Sequence, residues 1–120
     1  KPTVYSATGT KSATYGSDVE VASFTVAAGK VYQISAWVES SISVDTSIVN
    51  CQIIVKDING NVVTAVNSRG PMASGGGVTS TKLVDLTSQT SYCTVNLISY
   101  GYYNGSYVLE GYLNAVSVVE

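Results

Sequence analysis

There is no histidine in these 120 residues. Its absence removes the commonest general base, the commonest zinc ligand and any Ser-His or Cys-His nucleophile pair. Charge is scarce too: 12% of residues are charged and the net charge is −2. The basic residues Lys1, Lys11, Lys30, Lys56, Arg69 and Lys82 lie too far apart in sequence to form a stripe along a phosphate backbone, so nucleic-acid binding is not expected. No apolar run approaches the ~20 residues of a membrane-spanning helix, so membrane insertion is not expected either. The carboxylates Asp18, Glu20, Glu39, Asp45, Asp57, Asp85, Glu110 and Glu120 are dispersed. Nothing in their local sequence brings two together across a cleft, as glycoside hydrolysis requires. These gaps predict a non-enzymatic protein with no metal and no cofactor.

Hydrophobic residues make up 45% of the chain, mostly β-branched and aromatic. Helical periodicity is missing, so the class is all-β. With so little charge, the polar surface must come from Ser, Thr, Asn and Gly, a composition suited to a virion-exposed or extracellular β-protein. The length fits a single domain over residues 1–120, burying roughly two-thirds of the surface its unfolded chain would expose. The opening Lys1-Pro2, without a signal peptide, and the end just past a strand read as the C-terminal module of a longer protein.

Strands are expected near Val4-Tyr5 (an edge), and over 20–26, 31–39, 48–56, 62–66, 78–86, 92–100 and 106–119. Loops are expected at 40–47 and 68–77. Asn59-Gly60 marks a hairpin turn, since both residues tolerate positive φ, and Gly101 to Gly105 reads as a second hairpin turn. Strands at this spacing make a two-sheet antiparallel sandwich or jelly roll of about eight to ten strands.

The final strand carries bulk on both faces. Tyr107, Leu109, Leu113, Ala115 and Val119 fall on one side, and Val108, Tyr112, Val116 and Val118 on the other. A strand at a wet surface alternates apolar with polar, so this one is expected to be central and covered twice, once by its own core and once by another copy of the chain.

Several residues could carry function. Cys51 and Cys93 both take inward positions; they either bridge neighbouring strands or remain buried thiols acting as small hydrophobes. Asp57-x-Asn59-Gly60-Asn61 partly echoes a calcium loop but lacks the downstream bidentate Glu, so the hairpin reading is preferred. Glu110, set in an apolar strand, needs a partner if buried, and Lys82 is a candidate. Nine tyrosines stand against one phenylalanine. Tyr100, Tyr102, Tyr103 and Tyr107 gather beside Asn104, and flat rings with nearby amides are what a sugar stacks on and bonds to. Trp37 points away from its strand's apolar face, either as a sugar platform or as a subunit-interface residue.

The run Val19 to Val38, the passages Lys82 to Leu86 and Tyr92 to Leu97, and the closing Gly111 to Val116 resemble the complement-globular-head and tumour-necrosis-factor-like jelly roll over about residues 19–119. The resemblance implies a homotrimer with the final strand and the Tyr32–Val38 strand against the three-fold axis, placing Trp37, Tyr112, Val108 and Val116 at the subunit interface. It also implies that the strands bearing Cys51 and Cys93 lie side by side. Such domains occur at bacteriophage tail-fibre tips, which implies a receptor-binding adhesin recognising a host cell-surface saccharide. The Ala28–Val38 run with Asp57–Asn61 is also similar to the carbohydrate-binding modules of polysaccharide-degrading enzymes, which would be monomeric with Trp37 exposed.

Overall fold

A computed structural model describes residues 1–118; Val119, expected on the inner face of the last strand, lies outside the described residues. The strands are β1 (Val4–Ala13), β2 (Val19–Val26), β3 (Val31–Ser40), β4 (Val44–Lys56), β5 (Val62–Met72), β6 (Val78–Asp85), β7 (Cys93–Gly101) and β8 (Tyr107–Ser117). They form two four-stranded sheets, ordered β1-β8-β3-β6 and β2-β7-β4-β5. Among the described residues, the pairings between these strands are all antiparallel. Only the β4–β5 hairpin joins neighbours within a sheet, and every other connection crosses from one sheet to the other. This is the jelly-roll arrangement, so the expected all-β two-sheet sandwich holds.

The core follows the period-2 alternation of extended chain. Tyr32, Ile34, Ala36 and Val38 of β3 face Val49, Cys51, Ile53 and Val55 of β4 across the sandwich, and Val95, Leu97, Leu109 and Leu113 complete the layer, all buried. β8 is central, between β1 and β3. Its inner residues Tyr107, Leu109, Leu113 and Ala115 are buried, while Tyr112 on its outer side is 41% exposed.

The structure departs from the sequence reading in four places. β1 runs ten residues, through a Ser/Thr/Gly-rich passage expected to be loop. As an edge strand it needs bulk on one face only. β4 begins at Val44, inside the expected 40–47 loop. β5 continues through Gly70-Pro71 to Met72 rather than stopping at Val66. It too is an edge, where a proline costs no ladder bond. The residues from Gly101 to Gly105 do not make a hairpin, because β7 and β8 lie in different sheets and the turn crosses over the end of the sandwich.

Asn59-Gly60 does turn the β4–β5 hairpin, with Gly60 at φ 83°. The Asp57 carboxylate accepts the Asn59 and Asn61 amides, both at 2.9 Å, so it is engaged by the turn itself.

Candidate functional site

The β1–β2, β3–β4, β5–β6 and β7–β8 connections meet at one end of the sandwich. Gly16 N donates to Gly101 O (2.9 Å), Ser41 N to Val108 O (2.9 Å), and Ser74 N to the Ser43 hydroxyl (2.8 Å). Beneath them lies Tyr107, buried and 3% exposed. Its hydroxyl accepts the Gly101 amide at 2.7 Å and shares its own proton between the carbonyls of Gly101 (2.8 Å) and Thr14 (2.9 Å). Burial pushes the phenol above its ordinary pKa, and the Gly101 amide opposes that shift. Tyr107 is therefore a pin under the loops, not a surface contact residue as expected. Tyr103 packs edge-on against it, centroids 6.3 Å apart, and is likewise drawn toward the core.

Two of the expected patch residues do come together at the surface. Tyr100 and Tyr102 meet edge-to-face at 5.1 Å, and Tyr15, which the sequence reading did not pick, extends the run at 5.5 Å from Tyr102. The main chain holds them in place: Tyr102 N donates to Ile48 O (3.0 Å), and Tyr15 bridges to Gly101. The neighbouring Tyr100 hydroxyl raises the Tyr102 phenol above its ordinary value, while the Arg69 cation pulls it the other way. Asn104 is exposed in the crossover turn.

Arg69 was not singled out by sequence either. On β5 it stands opposite Asn50 of β4, which stands opposite Tyr100 of β7. Directly paired residues share a face, so the three form one row across the outer side of the sheet. Arg69 Nη2 donates to the Tyr100 hydroxyl at 2.9 Å over the top of Asn50. Asn50 is 2% exposed, and its Oδ1 has no hydrogen-bond partner. A cleft of about 410 Å³ opens at the same end, lined by small polar residues such as Ser12, Thr14 and Ser41 together with the apolar Val19 and Val108.

The outer face of the β1-β8-β3-β6 sheet carries the expected interface residues. Trp37 pairs with Tyr112 of β8 and with Thr79 of β6. The indole is half-buried by its own chain: a Cβ built on Gly77 would fall 1.5 Å from Trp37 Nε1, so only glycine allows the β5–β6 loop to lie there. Val108 and Val116 are half-buried on the same face of β8, four positions to either side of Tyr112, with Glu110 and Asn114 in between. Glu110 stands opposite Glu39, whose carboxylate accepts the Gly75 amide. Lys82 pairs with Ile34 on the inner side of β3, so it is not the partner of Glu110.

Cys51 and Cys93 are both buried and free. Their strands are neighbours, as expected, but Cys51 lies opposite Ser99, six positions along β7 from Cys93. That offset is ~20 Å at strand rise, whereas a disulfide needs Cα atoms about 4.4–6.8 Å apart. Burial pushes the Cys51 thiol up to about 11. Among the described residues, no three His, Cys, Asp or Glu side chains gather as a metal-binding group.

No protein-family model matches the sequence, and no curated protein matches it. Solved structures match its fold. The VP2 subviral particle of infectious bursal disease virus aligns with a TM-score of 0.74 at 17% identity, over 97% of this chain and 32% of that one. T=1 particles derived from infectious bursal virus align at 0.73 and 16% identity, over 97% and 32%. The T13 particle of the same virus aligns at 0.71 and 16% identity, over 96% and 31%. At this identity the likeness is one of fold, and the chain spans about a third of the length of the structures it matches.

Proposed function

We propose that this chain is a non-enzymatic attachment module of a virion, with the tip of a phage tail fibre as the most specific form of that reading. It assembles as a homotrimer through the outer face of the β1-β8-β3-β6 sheet and holds a cell-surface saccharide at the loop end of the other sheet. The observation that carries the binding half is the run of three rings, Tyr15, Tyr102 and Tyr100, at centroid spacings of 5.5 and 5.1 Å and ending on a guanidinium donor. Aromatic faces with polar groups at their margin suit sugars, which present both C–H faces and hydroxyls. Three copies would multiply a weak single-site affinity through avidity. The particle location is supported by the viral particles among solved structures of this fold.

The competing reading is a monomeric carbohydrate-binding module using Trp37 as its platform. It is weakened by the position of that ring, which Gly77 of the same chain partly covers. The test is a Tyr100→Ala/Tyr102→Ala double variant, assayed for binding to host cells and to a glycan array. Binding should fall at least tenfold while the far-ultraviolet circular dichroism and the assembly state stay unchanged. Undiminished binding would remove the tyrosine face from consideration.

A further inference from the structure

The row Arg69–Asn50–Tyr100 makes two chemical demands that the chain does not meet itself. The Arg69 guanidinium, an always-charged group, spends its hydrogen bond on a neutral phenol rather than on a carboxylate. Beneath it the Asn50 side chain is buried with its Oδ1 acceptor unpaired, although buried polar atoms are nearly always satisfied. Arg69 itself is exposed on an edge strand, so its side chain can turn off Tyr100 and uncover the amide without disturbing the core.

One kind of ligand answers both demands. A planar carboxylate fits the guanidinium fork through two parallel hydrogen bonds, and a hydroxyl beside that carboxylate can donate to Asn50 Oδ1. The rings of Tyr102 and Tyr15 continue away from this point, where the rest of a saccharide would stack. We infer that the Arg69–Asn50–Tyr100 row is a subsite for a carboxylated sugar, a sialic or uronic acid, at the end of the tyrosine face. The inference rests on the saccharide reading above and narrows it to acidic glycans.

The test is an array carrying sialylated and glucuronylated glycans, each as free acid and as methyl ester, alongside their neutral parents. The wild-type chain should bind free acids at least tenfold better than the matching esters, and the advantage should shrink with rising salt. Comparing the sialylated with the glucuronylated arm identifies which acid is used. The Arg69→Gln variant, altered at an exposed position, should bind acid and ester alike. Equal binding of acid and ester by wild type, or a preference surviving Arg69→Gln, would overturn the inference and leave the saccharide reading standing. Binding to no glycan in any form would overturn both.

Discussion

Tyr107 shows how one hydroxyl can fix several loops. Replacing it with Phe leaves the buried Gly101 amide and the Gly101 and Thr14 carbonyls without that partner. Unmade buried bonds cost about 1–3 kcal/mol, so Tyr107→Phe should lower the unfolding free energy by that amount, read as a lower urea midpoint with no change in the unfolding slope. Its burial was legible in the period-2 pattern, which puts it in line with Leu109 and Leu113; clustering with other tyrosines was the weaker signal. Arg69 and Tyr15 were not legible, because what brings them to Tyr100 and Tyr102 is the register between distant strands. The buried phenol of Tyr32 donates to Ala27 O at 2.6 Å, and burial, followed by the neighbouring Tyr5, pushes its pKa up to about 12 from 10.0. Cys51 rises to about 11 from 9.0 through burial. Both groups favour the fold in their neutral forms. Their contribution is complete below the unfolded pKa values and is lost as pH rises through the folded ones. Stability measured by urea melts should therefore fall between about pH 9 and 12, Cys51 acting over the lower part of that range and Tyr32 over the upper, and Tyr32→Phe should flatten the upper part of the fall. Because the two thiols are unlinked, a reductant should leave the melting temperature unchanged, and both should react with a thiol reagent only after unfolding.

Among the elements, β2 departs from regular pairing. Its register with β7 shifts between Glu20 and Ala22, a bulge at Val21. Val21 leans onto the opposite sheet at the point where Gly9 of β1 pairs with Gly111 of β8. A Cβ on Gly9 would lie 1.7 Å from the Val21 carbonyl oxygen, and one on Gly111 would lie 2.7 Å from a Val21 methyl. The first clash is with backbone, which cannot rotate away. Gly9→Ala should cost more than Gly111→Ala and exceed the ~1–3 kcal/mol typical of overpacking, read as a lower denaturation midpoint or as loss of soluble protein. The strands β3, β4, β7 and β8 were legible because alternation over a buried face leaves a clear apolar stripe. β1 and the far half of β5 were not: they are edges, where one face meets water and Gly, Ser, Thr and Pro are all tolerated. The misread turn at 101–105 has a topological cause. A short polar Gly-rich segment looks the same whether it folds a hairpin or carries the chain between sheets, and only the long-range pairing of β8 with β1 and β3 distinguishes the two.

For the molecule as a whole, the question is what covers the outer face of the β1-β8-β3-β6 sheet. Its rows differ in chemistry. Val4, Val116 and Leu83 lie in one row, with Val4 and Leu83 at 59% and 60% exposure. Thr8, Tyr112, Trp37 and Thr79 make the next but one, and Glu110 and Glu39 stand opposed further along. Gln33 interrupts the first row, and the polar row Ser6, Asn114, Ser35 and Thr81 runs between the two, so the apolar side chains stand in two separated strips. With the carboxylates opposed at one end, the part from the valine row to the aromatic row is the part suited to close contact. A stable interface takes ~800 Å² from each partner, a modest share of the 6102 Å² surface of this chain. If the chain forms the proposed homotrimer, light scattering at tens of micromolar should report three times the 12.5 kDa chain mass. Tyr112→Lys puts a charge in the middle of that contact. In the separated chain the ring is already 41% exposed, so the change should leave the fold within about 0.5 kcal/mol. The variant should then elute as a folded 12.5 kDa particle with an unaltered circular dichroism spectrum. A wild-type particle of single-chain mass would mean that Tyr112 and the exposed valines face solvent in the working molecule, and that any gain in binding strength must come from some other linkage between copies.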